Sequence, residues 1–504
     1  MKNMKSKSDI LKECRKKIEE RGINLPQVLF EKYPKNIPEF VLSVRTVNIV
    51  ISVLEELGYP VRYYGACVYI FNGTYWEQFA EKERQRVLSA SAQAMRINVE
   101  KALHHRFIKE MDEQFCVSVH KIKTEDVENQ IYINVQNGTL THTGGKAELL
   151  PHDKQQFLRY FLPYDYDPDA KCPLFQKFLD DVLPTDLQQQ VQEYFAYILS
   201  PHLKLRKVLF LYGYGANGKS VLIKILSAVL GKENIVERSL EGLCAYESRS
   251  VADIDGKLLV VCGEMSAKFD ISNFKSLAVG DPIQARRLHK ETHTIYNYGR
   301  FLISCNEMPR QIEHTKAFFD RILLVPFLRR FTVEEQDPFL ADKIIKEELP
   351  GILNWGLEAL PRLLEQQHFS YCETSEEALD EYQRQIDSVA SFIYDNNYQT
   401  STSSFLSFKY LLSEYGEYCK EMNCYACGRS SFSQRLKMMG YKDVRKSGGM
   451  FFYINRKDVV DKENAQLFSS IDVKTNSEAG MTLNDFIDMC TKKEVQLERL
   501  SIVQ

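Results

Sequence analysis

One stretch limits the fold of this 504-residue chain more than any other: LYGYGANGKS, residues 211–220. Gly213, four residues, then Gly218, Lys219 and Ser220 make the G-x-x-x-x-G-K-S spacing of a phosphate-cradling loop. Such a loop works only between a strand and a helix, and both flanks fit. KVLFLY (207–212) is an apolar run of strand length, and SVLIKILSAVLG (220–231) places Val221, Leu222, Ile225, Leu226, Val229 and Leu230 at helical spacing before Gly231. The loop predicts an α/β fold that binds ATP and Mg²⁺ through Gly213, Tyr214, Gly215, Ala216, Asn217, Gly218, Lys219 and Ser220. Backbone N–H groups and the helix N-terminus would hold the phosphates, Lys219 would reach the β and γ phosphates, and the Ser220 hydroxyl would ligate the metal. A glycine-rich turn with a surface lysine is the plainer alternative.

Three further strands supply candidate catalytic groups. GKLLVVCGEM (256–265) is a buried-strand pattern ending in Gly263 and Glu264, which places a carboxylate at the ligand-binding edge of a parallel sheet. With a single acid there, Glu264 either polarises the attacking water alone or also holds the metal through water; a glutamate merely ending a strand is the alternative. RFLISCN (300–306) brings Asn306 to a similar edge, where its amide could orient water or touch the γ-phosphate. FFDRILLVPF (318–327) sets Arg321 just before another apolar run. That arginine is either a finger for a neighbouring subunit's γ-phosphate or one half of an ion pair with Asp320 or another local acid.

Bulk properties exclude several classes. No apolar run approaches the roughly 18 residues of a membrane span, and MKNMKSKSDILKECRKK has no signal-peptide core. Twelve cysteines scattered singly suggest reduced thiols, hence a cytoplasmic setting. A net charge of −3 excludes a uniformly basic nucleic-acid coat but not local basic patches. One such patch is GDPIQARRLHKETHTIY (280–296), a hairpin pattern whose tip gathers Arg286, Arg287, His289, Lys290 and His293 against Glu291. A cationic hairpin projecting from a nucleotide-binding sheet suits the grip of single-stranded DNA in a central pore.

With these motifs in order, the chain resembles the superfamily 3 helicases of the phage and plasmid primase-helicase type, related to the poxvirus primase-helicase. The resemblance runs through GYGANGKS, LLVVCGE, FKSLAVGDPIQARRLHKE, FLISCNEMP, DRILLVPF and ELPGILNWGLEAL, roughly residues 61–457. It implies an AAA+-like P-loop ATPase core, a hexameric ring, and ATP-driven 3′→5′ movement on single-stranded DNA in the pore. It assigns Glu264 to the Walker B acid, Asn306 to sensor 1, Arg321 to the arginine finger, and His289 and Lys290 to the pore hairpin. Two departures stand out: Asp320 occupies a position where the family often has a second arginine, and the Walker B pair is reduced to one acid. Two other classes compete with a replication helicase. One is an ATP-gated, origin-binding initiator without processive unwinding; the other is a nucleic-acid-sensing AAA+ ATPase.

The flanks complete the expectation. Residues 1–60 read as a helical segment, and 61–195 as an α+β region with a helical collar that helps oligomerise. In that region VYIFNGTYWEQF and INVQNGTL carry Asn-Gly hairpin signals. Too few residues precede the resemblance for a primase, and no D-x-D pair accompanies a zinc cluster, so primer synthesis is not expected; a separate primase or polymerase is an open partner. The ATPase core spans 196–345, a helical lid or linker 346–384, and a winged helix-turn-helix 385–457, followed by a tail, 458–504. The winged helix rests on two helical patterns, the second opened by Ser430 and Ser431 as caps, then a hairpin turning at Gly448 and Gly449. Its Arg435, Lys437, Arg445 and Lys446 are candidates for duplex DNA, with protein contact as the alternative. Cys424 and Cys427 form a lone C-x-x-C, read as thiols and not as a zinc site.

Overall fold

A computed structural model describes residues 4–122, 131–143, 146–245, 248–263, 269–286, 292–308, 316–422 and 426–456. The chain divides into two units, Met1–Tyr382 and Gln383–Gln504.

The first unit begins with helices α1 (Lys7–Glu20) and α2 (Glu39–Glu56) and strands β1 (Val61–Tyr64), β2 (Cys67–Phe71) and β3 (Trp76–Gln78). Helices α3 (Glu81–Ala94) and α4 (His105–Ser118) follow. Ile10, Cys14 and Ile18 form a four-residue-spaced stripe on α1 that packs on α2–α4. Arg84 on α3 and Asp112 on α4 pair within this core at 2.7 Å. The Asn-Gly turn expected between β2 and β3 forms, with the Asn72 carboxamide oxygen accepting from Thr74 and Tyr75 N–H at 3.0 Å. Strands β4 (Tyr132–Val135), β5 (Gly138–Thr143) and β6 (Lys146–Leu150) make a second antiparallel sheet. Because Val135 pairs with Gly138, its first turn is Gln136–Asn137, one residue before the expected Asn-Gly turn, and Gly138 opens β5.

Helices α5 (Pro173–Val182) and α6 (Thr185–Ile198) lead into the main sheet. The α5 N-terminus is capped from far along the chain: the Glu348 carboxylate accepts from Leu174 and Phe175 N–H, each at 2.9 Å. The sheet itself contains β7 (Val208–Tyr212), β8 (Ile235–Glu237), β9 (Leu259–Cys262), β12 (Arg300–Cys305) and β13 (Ile322–Pro326), all parallel. Between β9 and β12 the chain forms an antiparallel pair, β10 (Ile283–Arg286) and β11 (Thr292–Ile295). The spatial order is β13–β7–β12–β9–β8. Strands β9 and β13 are buried at every residue, as a parallel sheet covered on both faces requires. Helix α7 (Lys219–Leu230) and the later helices α8 (Leu340–Glu347), α9 (Leu349–Leu357) and α10 (Leu360–Gln366) share one apolar core with α5, α6 and the sheet.

The second unit contains α11 (Ser388–Asp395), β14 (Tyr398–Thr400), β15 (Leu406–Ser407), α12 (Phe408–Glu421), α13 (Arg429–Met438), β16 (Asp443–Lys446), β17 (Gly449–Phe452) and β18 (Ile454–Arg456). Phe392, Tyr415 and Phe432 lock its three helices together, the last two rings stacked at 4.4 Å. Strands β15, β17 and β16 form an antiparallel sheet in that order. Two sequence expectations need correction. Helix α13 starts at Arg429 with Gly428 as its N-cap and no side-chain cap, so Ser430 and Ser431 lie inside the first turn; glycine is an adequate N-cap. Because Lys446 pairs with Gly449, the hairpin turn is Ser447–Gly448, and Gly449 opens β17 at a φ of 117°. Cys424 and the tail lie outside the described residues.

Candidate nucleotide site and nucleic-acid contacts

The loop 213–220 follows β7 and turns into α7 at its first residue, Lys219. Two glycines are required by space as well as by torsion. Gly213 has a φ of 152°, and a Cβ there would stand 2.6 Å from the Phe327 carbonyl oxygen. Gly218 has a φ of 96°, and a Cβ there would stand 2.8 Å from Val182 on α5. Ala216 takes a φ of 53°, costly for a residue with a side chain. The surroundings hold it: Phe331 N–H donates to the Ala216 carbonyl at 2.9 Å, and Phe327 N–H to the Tyr212 carbonyl at 2.7 Å. A carbonyl turned outward leaves the next N–H facing the opposite way, which is how such a loop collects inward-pointing donors.

Lys219 is 5% exposed. Its ammonium donates to the Gly213 carbonyl, to Asn217 Oδ1 at 3.3 Å and to Asn306 Oδ1 at 3.3 Å. All three acceptors are neutral oxygens, and burial pushes the lysine pKa below its ordinary value. The adjacent Cys305 thiol is pushed up to about 12, also by burial. Asn306 reaches Lys219 because β12 lies directly beside β7, with Cys305 opposite Tyr212. Lys219 and Asn306, 87 positions apart in sequence, are thus brought together. Ser220 is exposed next to Lys219, and Tyr214 is exposed on the loop with its ring 6.0 Å from that of Tyr212. Strand β9 ends beside β12, with Cys262 opposite Ile303; Glu264 lies outside the described residues.

Arg321 is placed elsewhere. Its carbonyl accepts from Val208 N–H at the beginning of β7, so the length of a strand, about 13–16 Å at the usual rise, separates it from the loop of its own chain. Among the described residues Arg321 makes no ion pair with Asp320; its guanidinium donates to the Ala317 carbonyl, and its buried Nε has no partner. Sequence reading passes over Phe327, Arg329 and Phe331, which brace the loop from outside. Arg329 joins Asp181 on α5 at 3.4 Å and Glu335 at 3.3 Å, with its guanidinium 4.4 Å from the Phe331 ring. The available signal was a Phe-x-x-x-Phe spacing directly after a buried strand.

The candidate nucleic-acid residues separate in the same way. Arg286 is exposed at the end of β10, opposite Thr292; Arg287, His289 and Lys290 lie outside the described residues. In the second unit Arg435 is held by Asp387, with its Nε 2.7 Å from the carboxylate, and Lys437 pairs with Asp443 at 2.8 Å. Asp387 is 5% exposed and also caps α11, accepting from Val389 and Ala390 N–H. Arg435 is therefore a structural partner of a buried carboxylate, which leaves little of its charge for DNA. Arg445 and Lys446 are exposed.

Comparison with known proteins gives two family models, one curated relative and two solved structures. Residues 211–321 match the model of a family of unknown function, DUF5906, and residues 54–184 match a model described as D5 N terminal like. The chain is 27% identical over 252 residues to a protein of Acanthamoeba polyphaga mimivirus named "Putative helicase L207/L206". That alignment takes in 47% of this chain and 25% of the relative, so the chain spans about a quarter of that protein's length. Among solved structures, the A form apo structure of the NrS-1 C terminal region is similar at a TM-score of 0.49 and 12% identity, covering 80% of this chain and 97% of that one. The apo structure of NrS-1 residues 305–718 is similar at the same score and 13% identity, with the same two coverages. No helix among the described residues is long and apolar enough to cross a membrane.

Proposed function

We propose that this chain is an ATP-dependent DNA helicase of the superfamily 3 type, serving replication of a phage, plasmid or other mobile element. One observation carries the reading. At the carboxyl edge of a five-stranded parallel sheet, a buried lysine within a glycine loop meets an asparagine from the neighbouring strand. Numbered from the loop strand, the sheet order is 5-1-4-3-2, the order of an AAA+-like core. The likeness to a viral protein named as a helicase supports the same reading.

The donor set fits a magnesium–nucleotide. Loop amides and the α7 N-terminus favour anionic oxygens, and Lys219, buried among neutral oxygens, gains a counter-charge when a phosphate arrives. Ser220 would supply a hydroxyl ligand to Mg²⁺, and Glu264 a carboxylate that holds it through water. The metal would neutralise developing charge on the transferred phosphoryl group. Asn306 orients the attacking water while also fixing the Lys219 ammonium. Arg321, a strand length from its own loop, serves the γ-phosphate of an adjoining subunit in a ring, and Arg286, Arg287, His289 and Lys290 grip a single strand in the pore. Residues 385–457 act as a winged helix.

The test is strand displacement by the purified chain on duplexes with a 3′ or a 5′ single-stranded tail, with ATP and Mg²⁺. Displacement of the 3′-tailed duplex, with ATP turnover stimulated by single strands, is expected. ATP turnover without displacement on either substrate would favour an origin-binding initiator instead, and no ATP turnover would remove the nucleotide reading.

A further inference from the structure

The outer face of the β15–β17–β16 sheet has a composition that packing inside its own unit does not require. Phe452 on β17 is fully buried, and its cross-strand partner Leu406 packs on the same core. Side chains alternate along strands, so Phe451 and Tyr453 project to the opposite face. So do Lys446, whose register partner is Gly449, and Val444, whose partner is Phe451. Lys442, two residues before Val444, shares that face, and its carbonyl accepts from Tyr453 N–H at 2.8 Å. Phe405 completes the surface: its ring meets Phe451 edge-on at 5.5 Å and 86°, and Tyr453 at 6.2 Å and 81°.

The charge of this face is one-sided. Lys442 and Lys446 are exposed, and the acid of the hairpin, Asp443, lies on the other face and is engaged by Lys437. Phe405 is 39% exposed, and the Lys446 ammonium stands 3.3 Å from its ring centroid. An ammonium over a solvent-facing ring holds it only weakly. A planar π-system can take its place on the ring while the lysine moves to an anion alongside. Flat rings flanked by lysines are what an unpaired polynucleotide offers partners to: a base face to stack and a phosphate next to it. Bases of an intact duplex have no exposed faces to offer.

We propose that this face is a binding platform for an unpaired nucleic-acid strand, with Phe405 stacking a base and Lys442 and Lys446 taking the neighbouring phosphates. Arg445 serves as an internal control, since alternation puts it on the other face of the same strand. The platform does not depend on the nucleotide reading, because none of its residues belongs to the first unit.

The experiment uses the full chain without nucleotide and oligonucleotides of 4-thiothymidine or 4-thiouridine, irradiated and mapped by mass spectrometry. The readout is the cross-link yield within residues 383–456, so strand binding elsewhere in the chain does not obscure it. Cross-links are expected at Phe405 or Tyr453. Phe405→Leu, which keeps apolar bulk but has no π-face, should lower the yield about tenfold, the effect of losing one stacked base. Phe405→Trp should keep it and Arg445→Ala should leave it near the parent value. The Lys442→Gln, Lys446→Gln pair should reduce it and flatten its salt dependence, which tests the platform even if the Phe405 variants unfold. Equal yields with thymidine and uridine strands mean that the platform reads the shared base and phosphate chemistry. A sugar preference greater than about tenfold would overturn that, because a stacking platform tolerates either sugar. The proposal fails if no cross-link falls in this segment, if Phe405→Leu matches the parent, or if blunt duplex competes as well as single strand.

Discussion

In the parallel sheet the cation that matters is buried and surrounded by neutral oxygens; in the unit beginning at Gln383 three of the four expected cations are exposed, and half of the four already have carboxylates. Lys219 touches Gly213, Asn217 and Asn306. Arg435 and Lys437 touch Asp387 and Asp443. The difference teaches how to read positive charge. A buried lysine with no anion among its bonded partners is costly unless an anion is to be bound, so its position is informative. A cation already beside a carboxylate, whether buried as at Asp387 or exposed as at Asp443, has its charge answered within the unit, and only those left over, here Lys442, Arg445 and Lys446, bear on a partner.

The sharpest test of the first half is Lys219→Ala. If the buried ammonium is kept for phosphate, ATP turnover should drop by about a hundredfold or more, the usual effect of deleting one preorganised donor from a transition state, while the fold persists. Steady-state ATPase assays paired with thermal melts check this. Turnover near the parent rate would reduce Lys219 to an unusual packing residue and break the comparison.

Next in size is a test of the two ends of the sheet. Arg321→Ala and Lys219→Ala each remove a different half of a shared site if the arginine acts between subunits. Mixed in equal amounts they should regain activity at those interfaces where both halves are intact, against none for either alone. Rings must be shown intact by sedimentation. No regain at any mixing ratio would confine Arg321 to its local bond with Ala317.

How far each region was legible follows from the distance over which its contacts act. The loop, its strand and its helix are contiguous, so spacing alone located Gly213 to Ser220 on a β7–α7 turn. The two hairpins were legible for the same reason, the second turning one residue earlier than its Asn-Gly pair suggests. Asn306 could be placed at a strand end, but its contact with Lys219 depends on β12 inserting next to β7, which periodicity does not reveal. The brace formed by Phe327, Arg329 and Phe331 was missed because backbone bonds to Ala216 and Tyr212 leave almost no trace in side-chain chemistry. The pairing of Arg435 was not legible because its partner, Asp387, is 48 positions away. Counting charges in a window cannot see a neighbour that folding supplies. The aromatic face at Phe405 was hidden likewise: Phe405, Phe451 and Tyr453 converge only after β15 pairs with β17.

A smaller effect separates the two kinds of arginine in the second unit. Arg435→Ala leaves Asp387 buried without its guanidinium and should destabilise this unit by about 1–3 kcal/mol, the range for losing a charged hydrogen-bond partner. Arg445→Ala should stay within about 0.5 kcal/mol, as exposed substitutions do. Urea unfolding followed by tyrosine fluorescence reads both. Equal stabilities would mean that the Asp387 pair is a surface contact in effect, and that Arg435 is available to a partner after all.

The smallest expected effect is a pH dependence at Lys219. Burial holds its pKa below the ordinary lysine value, and a bound phosphate, adding an anion at contact distance, raises it again. Between those two values the free protein has released the proton that the complex retains, so binding takes up a proton in that window. The sign follows: ATP affinity is insensitive to pH below the depressed pKa, then weakens as pH rises through it, by at most about tenfold per pH unit. Titrating a fluorescent ATP analogue upward toward the ordinary lysine value of 10.5, above the range in which phosphates titrate, should show this fall. Lys219→Arg keeps its charge throughout that range and should flatten it, even if the larger head group lowers affinity at every pH. A parent profile as flat as that of the arginine variant would mean that the lysine stays charged in the free protein. Its burial would then be offset by the three neutral oxygens alone, and the contrast with the paired cations of the second unit, Arg435 and Lys437, would lose its energetic basis.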